Sequence, residues 1–181
     1  MSSDSAAGKS SPTHLRSLGI PYWQQAVAGG LFTGLAPIAS GTVASAVAAL
    51  FYFIPGFSHP LVLLIASAVA FAVGYPLVDR IEKAIGSDPS FFTLDEFAGQ
   101  WLTMASPLVA FNPLWALLTF LCFRVFDIAK TWPASWFDRR GGALGVMADD
   151  TVAAVYASIC AHAIWYGLSL AGLVGEFLSI P

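Results

Sequence analysis

From Ser17 to Val78 the chain carries no Asp, Glu, Lys or Arg, and its apolar residues run on without the alternation of a half-buried strand. Two further uncharged runs follow, Phe97–Phe123 and Thr151–Gly175. Runs of this length suit helices that are buried all round or lie in lipid. Proline and glycine punctuate them. "IPGFSHP", Ile54–Pro60, reads as a turn. Before it, the stretch Gln25–Phe53 is broken by "TGLAPIASGT" and predicts two short helices. After it, Leu61–Val78 predicts one helix of about 27 Å, near the thickness of a hydrocarbon core. Asp79–Phe97, with charges alternating in sign, predicts a membrane-edge helix and then a loop. Pro107 and Pro113 bracket "SPLVAFNP" inside the second uncharged run. Proline in a helix interior costs about 3 kcal/mol, so this run predicts a helical hairpin. Thr151 to about Leu173 predicts the last helix.

The expected fold is therefore an all-α, multi-helix bundle, membrane-embedded, with broken or re-entrant helices. Residues 20–181 form its single domain. Residues 1–19, small, polar and Ser-rich, read as a disordered tail without signal-peptide order. The hairpin carries a consequence. It puts Asp95/Glu96 and Asp149/Asp150 on one membrane face, with Arg80, Lys83, Arg124, Lys130, Arg139 and Arg140. That grouping obeys the positive-inside tendency, as do Lys9 and Arg16 ahead of the first apolar run. A single crossing would separate the two acidic pairs.

Composition sharpens this picture. Hydrophobic residues make up 57% and charged residues 10%, against about 45–50% and 25% in soluble domains. A net charge of −3 offers no basic field for nucleic acid. Cys122 and Cys160 lack CxxC spacing and read as reduced thiols. His162, inside an apolar run, reads as a hydrogen-bonded structural histidine.

The chemistry lies where charge interrupts the apolar runs. In "LDEFAGQW" and "GVMADDTVAA" adjacent carboxylates open predicted helices. Either pair could merely cap its helix. Two pairs on one face instead suit a hard cation such as Mg²⁺. In "FRVFDIAKTWP", Arg124, Asp127 and Lys130 or Thr131 share a helical face. They form either a salt-bridge ladder or a cationic clamp for phosphate. "SGTVAS" offers Thr42 and Ser45 beside a helix start, as a plain cap or as an anion site. "RRGGALG" reads as a glycine hinge and lacks the phosphate-loop pattern.

In order and spacing, "GTVAS", "LDEFAGQW", "FRVFDIAKTWPASWFD" and "GGALGVMADDTVAA" together resemble the phosphatidylglycerophosphatase A family, over about Thr33 to Tyr156. The resemblance implies an all-helical, Mg²⁺-dependent phosphatase of the bacterial inner membrane, with its site facing the cytoplasm. Its substrate would be a phospholipid, phosphatidylglycerophosphate, dephosphorylated to phosphatidylglycerol in phospholipid biosynthesis. By motif, Asp95, Glu96, Asp149 and Asp150 would hold the metal. Arg124, Lys130, Thr42 and Ser45 would bind the substrate phosphate. Asp127 would hold the clamp or share the metal. Three positions depart from the family pattern: Ser40 and Thr131 stand where proline is usual, and Ala154 where glycine is usual. No Cys-x₅-Arg, DxDxT or phosphohistidine motif is present. Attack by water without a covalent intermediate is therefore expected. The competing expectations are a non-enzymatic carrier or assembly subunit, whose carboxylates are structural ion pairs, and a phosphatase for another phosphate ester.

Overall fold

The computed structural model describes residues 12–85 and 91–174, which contain eight α-helices and no strand. In chain order these are α1 (Pro12–Ser17), α2 (Tyr22–Ala28), α3 (Ser40–Leu50), α4 (Pro60–Ile85), α5 (Leu94–Met104), α6 (Pro113–Ala129), α7 (Ala134–Arg140) and α8 (Gly142–Leu170). Short 3₁₀ turns lie at Thr33–Leu35 and Phe51–Phe53.

The broken first run yields α2 and α3, and the proline-bracketed run yields the hairpin α5–α6, both as the pattern predicts. The hairpin turns where the prolines place it. Asn112 caps α6 by accepting the Leu114 N–H at 2.9 Å, with Pro113 at the first helical position. The Trp115 indole N–H donates to the Met104 carbonyl at 2.9 Å and ties the two arms at their tip.

Three boundaries differ from expectation. The predicted membrane-edge helix is the continuation of α4, which stays helical through Pro76 to Ile85. Its exposed Asp79–Lys83 pair, four residues apart, supports that extension. Pro12–Ser17, placed in the tail by composition, is helical because Leu15 and Ile20 find a buried site in the core. Residues 1–11 lie outside the described residues. Finally, Asp149 and Asp150 do not open a helix. Gly141 and Gly142, both at positive φ, make the break between α7 and α8, and the pair sits two turns inside α8. That is too far in for capping, whose electrostatic benefit fades within the first turn.

Small residues let the helices close on one another. A Cβ at Gly99 of α5 would meet the Phe123 ring at 2.5 Å and the Asp150 carbonyl at 3.2 Å. Glycine there allows α5, α6 and α8 to cross beside the acidic pairs. Below it, Ala154, Ala157 and Ala161 of α8 are fully buried. The start of α5 is pinned from another direction. The Thr93 N–H donates to the Ala28 carbonyl at 2.9 Å, and a Cβ at Gly34 would overlap the Phe91 carbonyl at 1.7 Å.

His162 is hydrogen-bonded as expected: its Nε2 lies 2.8 Å from Ser106 Oγ and its Nδ1 2.7 Å from the Ser158 carbonyl. Cys122 and Cys160 are free thiols. Two helices, over Pro60–Ala84 and Gly142–Leu170, are long and apolar enough to cross a membrane. Their outward faces, with Leu61, Ile65 and Val69 on α4 and Val155 and Ile159 on α8, are exposed apolar surface.

Candidate active site

The antiparallel hairpin returns the chain to one end of the bundle, where four helices contribute charge or polar groups. Asp95 and Glu96 lie in the first turn of α5, Arg124 and Asp127 near the end of α6, and Asp149 and Asp150 in α8. The N-terminus of α3 brings Gly41 and Ser45 beside them.

Asp95, Glu96 and Asp150 converge: each offers a carboxylate oxygen, and the three oxygens lie within 4.8 Å of one another. The group is deeply placed, with Asp95 9% and Asp150 4% exposed. Glu96 Oε2 and Asp150 Oδ2 are buried and have no hydrogen-bond partner. Burial, and then the charges of Glu96, Asp150 and Asp149, push the Asp95 carboxyl well above the usual carboxylate range. Burial likewise raises Glu96, with Asp127 adding to the rise and Asp95 and Arg124 opposing it. Carboxylates crowded in this way either hold protons or stay ionised beside a compensating positive charge.

Arg124 supplies part of it. Its Nη1 is 2.7 Å from Asp127 Oδ2 and donates to Ser45 Oγ at 3.2 Å. Ser45 in turn donates to the Gly41 carbonyl at 2.8 Å. Arg124 Nε is buried and has no partner. Asp127 also lies within range of Glu96 and Asp150, so it links the guanidinium to the carboxylate group.

The remaining expected residues form a second arm. Lys130, at φ +43°, caps α6 in the left-handed region that a lysine rarely occupies. From there its Nζ reaches Asp149 Oδ2 at 2.6 Å and also Asp138 on α7. Burial works against the Lys130 charge, but the two carboxylates outweigh it and hold the ammonium above the usual lysine range. Asp149 thus stands outside the convergent trio and faces Lys130. Its Oδ1 accepts the Asp150 N–H at 2.9 Å, as Asp95 Oδ1 accepts the Glu96 N–H at 3.0 Å. Thr42 is half-buried in the first turn of α3.

Three participants escape the sequence reading. Asp138 is one, met by Lys130 from the end of α6. Gly41 is another: a Cβ there would come within 2.4 Å of Glu96 Oε1. The third is Gln100, fully buried one turn after Glu96 with neither amide atom partnered. The "GQ" of "LDEFAGQW" was its only signal. Of the departures from the family pattern, Ser40 takes the first helical position of α3, where proline also fits. Ala154 is packed at zero exposure.

Gly41→Ala is expected to lower kcat/KM about a hundredfold while leaving the melting temperature nearly unchanged. The new methyl would push aside the end of a flexible side chain, not backbone, yet an ångström of misplacement at a reacting site costs about that much. Paired kinetics and thermal unfolding check it.

An all-helical bundle that gathers three carboxylates beside an arginine has a donor set able to hold a hard cation and to meet an anionic group. The phosphatidylglycerophosphatase A family model matches residues 26–165, so the chain belongs to that family of phosphoric monoester hydrolases. The Escherichia coli (strain K12) phosphatidylglycerophosphatase A is 35% identical over 129 residues, covering 70% of this chain and 74% of the relative. A Haemophilus influenzae protein of the same name is 35% identical over 107 residues, 58% of this chain and 65% of its own. A Bacteroides thetaiotaomicron protein, provisionally named a phosphatidylinositol-3-phosphatase, is 30% identical over 138 residues, 72% of this chain and 86% of its own. No solved structure matches significantly.

Proposed function

We propose that the protein hydrolyses phosphatidylglycerophosphate to phosphatidylglycerol and phosphate, with Mg²⁺, at the cytoplasmic face of a bacterial inner membrane. The observation that carries this reading is the convergence of Asp95, Glu96 and Asp150 beside Arg124. The donor set fits the ion: three hard carboxylates, two of them with a buried oxygen that lacks a partner. Bound there, Mg²⁺ would offset the carboxylate charge, polarise a phosphoryl oxygen and acidify a water. Asp149, paired with Lys130, stands beside that trio and not within it.

The chain's own groups hold the phosphate. Arg124, kept in place by Asp127 and Ser45, turns its fork toward the phosphoryl oxygens. The first amides of α3, with no side-chain cap at Ala39, present N–H donors beside Thr42 and Ser45. Lys130, steadied by Asp138 and Asp149, adds a point charge at the mouth. A carboxylate of the trio orients the attacking water. The exposed apolar faces of α4 and α8 suit lipid around the bundle, so only the headgroup meets the charged end.

The test is phosphate release by the purified protein from phosphatidylglycerophosphate, phosphatidic acid, phosphatidylinositol 3-phosphate and a soluble monoester. Phosphatidylglycerophosphate is expected to be the best substrate. EDTA is expected to stop release and added Mg²⁺ to restore it. Release that survives full chelation would sink the cation mechanism. A different best substrate would move the specificity, and release from none would favour a structural role for the carboxylates.

A further inference from the structure

We propose that the apolar groove between α3 and α6 receives one fatty acyl chain of the lipid whose phosphate Arg124 and Ser45 hold. This deepens the phospholipid reading and rests on it. The groove, about 210 Å³, is lined by Ala46, Ala49 and Phe53 on one wall and Ala116, Leu117 and Phe120 on the other.

Its position follows from the two helices that build the phosphate site. Ala46 is the residue after Ser45, and Phe120 lies one turn before Arg124. From there the groove descends along both helices, away from the carboxylates and toward the hairpin tip. Arg124 to Pro113 spans about 16 Å at the helical rise per residue. The chain of a phospholipid is covalently tied to its headgroup, so its channel must open beside the phosphate site and leave it through apolar surface. This groove does both. Its depth comes from alanine: Ala46, Ala49 and Ala116 stand where larger side chains would close the wall.

A larger cavity, about 730 Å³, lies between the start of α4 and the hairpin loop, lined in part by His59, Ser58 and Ser106. It sits at the opposite end of α5 from Asp95 and Glu96, and no headgroup held at Arg124 is adjacent to it.

Two measurements test the proposal. Wild-type protein in vesicles would be photolysed with phosphatidylglycerophosphate carrying a mid-chain diazirine, and the adducts mapped by mass spectrometry. Adducts are expected on residues 46–53 and 113–120. Adducts confined to the outward faces of α4 and α8 would overturn the proposal. In parallel, Ala46→Phe is compared on dioleoyl and dihexanoyl phosphatidylglycerophosphate. Filling the groove is expected to lower the ratio of kcat/KM, long chain over short, by about tenfold. Val69→Phe, on the exposed face of α4, is expected to leave that ratio unchanged. A folded Ala46→Phe with the wild-type ratio would overturn the groove assignment. If that variant fails to fold, the wild-type adduct map decides. Because the map needs no turnover, groove adducts without phosphate release would reject the substrate reading and keep the groove.

Discussion

Asp150→Asn is expected to reduce phosphate release at least a thousandfold, about 4 kcal/mol of transition-state stabilisation, and to weaken divalent-cation binding in parallel. Asp150 is one of three carboxylates that meet, and its Oδ2 is buried with no partner. The fold should survive the change. In the cation-free protein the substitution removes a buried negative charge from a crowd of them, so thermal stability is expected to hold or rise. Loss of folding without loss of specific rate would instead make Asp150 structural. Asp149→Asn provides the contrast. Its carboxylate faces Lys130, which keeps Asp138 when Asp149 is neutralised. The expected cost is about ten- to a hundredfold, that of a group positioning another. Equal losses in the two variants, with equal losses of cation affinity, would put Asp149 among the ligands.

Arg124 separates charge from geometry. Arg124→Lys keeps a cation but removes the planar guanidinium, whose Nη1 meets both Asp127 and Ser45. It is expected to lower kcat/KM by about 10²–10³-fold with stability close to wild type. Arg124→Ala should lose as much activity and also destabilise the protein, by about 2–4 kcal/mol, because Asp127, its side chain only 12% exposed, then loses its partner. The checks are kinetics and denaturant unfolding of both variants. A fully active Arg124→Lys would remove bidentate phosphate recognition from the proposal.

Much of this was legible in the chain because it depends on local grammar. Uncharged runs of 25 residues or so suit helices, and two prolines six positions apart do not fit inside one of them, so the hairpin could be read directly. The acidic pairs, Arg124, Asp127 and Lys130 stood out because charge at the edge of apolar runs needs a reason. The start of α8 was misplaced because the glycines before the pair suggested a hinge, whereas only Gly141 and Gly142 break the helix and Gly145 packs inside it.

The sequence by itself determined the helical class, the fold-back of α5 and α6, and most of the charged residues that stand at one end of the bundle. It could do so because hydrophobic run length, proline placement and isolated charge are properties of neighbouring residues. Only the tertiary structure decided how that set divides. Asp95, Glu96 and Asp150 form one group, while Asp149 turns to Lys130, although two adjacent aspartates look identical in the chain. Successive residues on a helix point about 100° apart, and which of the two directions meets α5 depends on the crossing that Gly99 permits. The roles of Gly41 and Asp138 were settled in the same way, by distances between helices that no local pattern encodes.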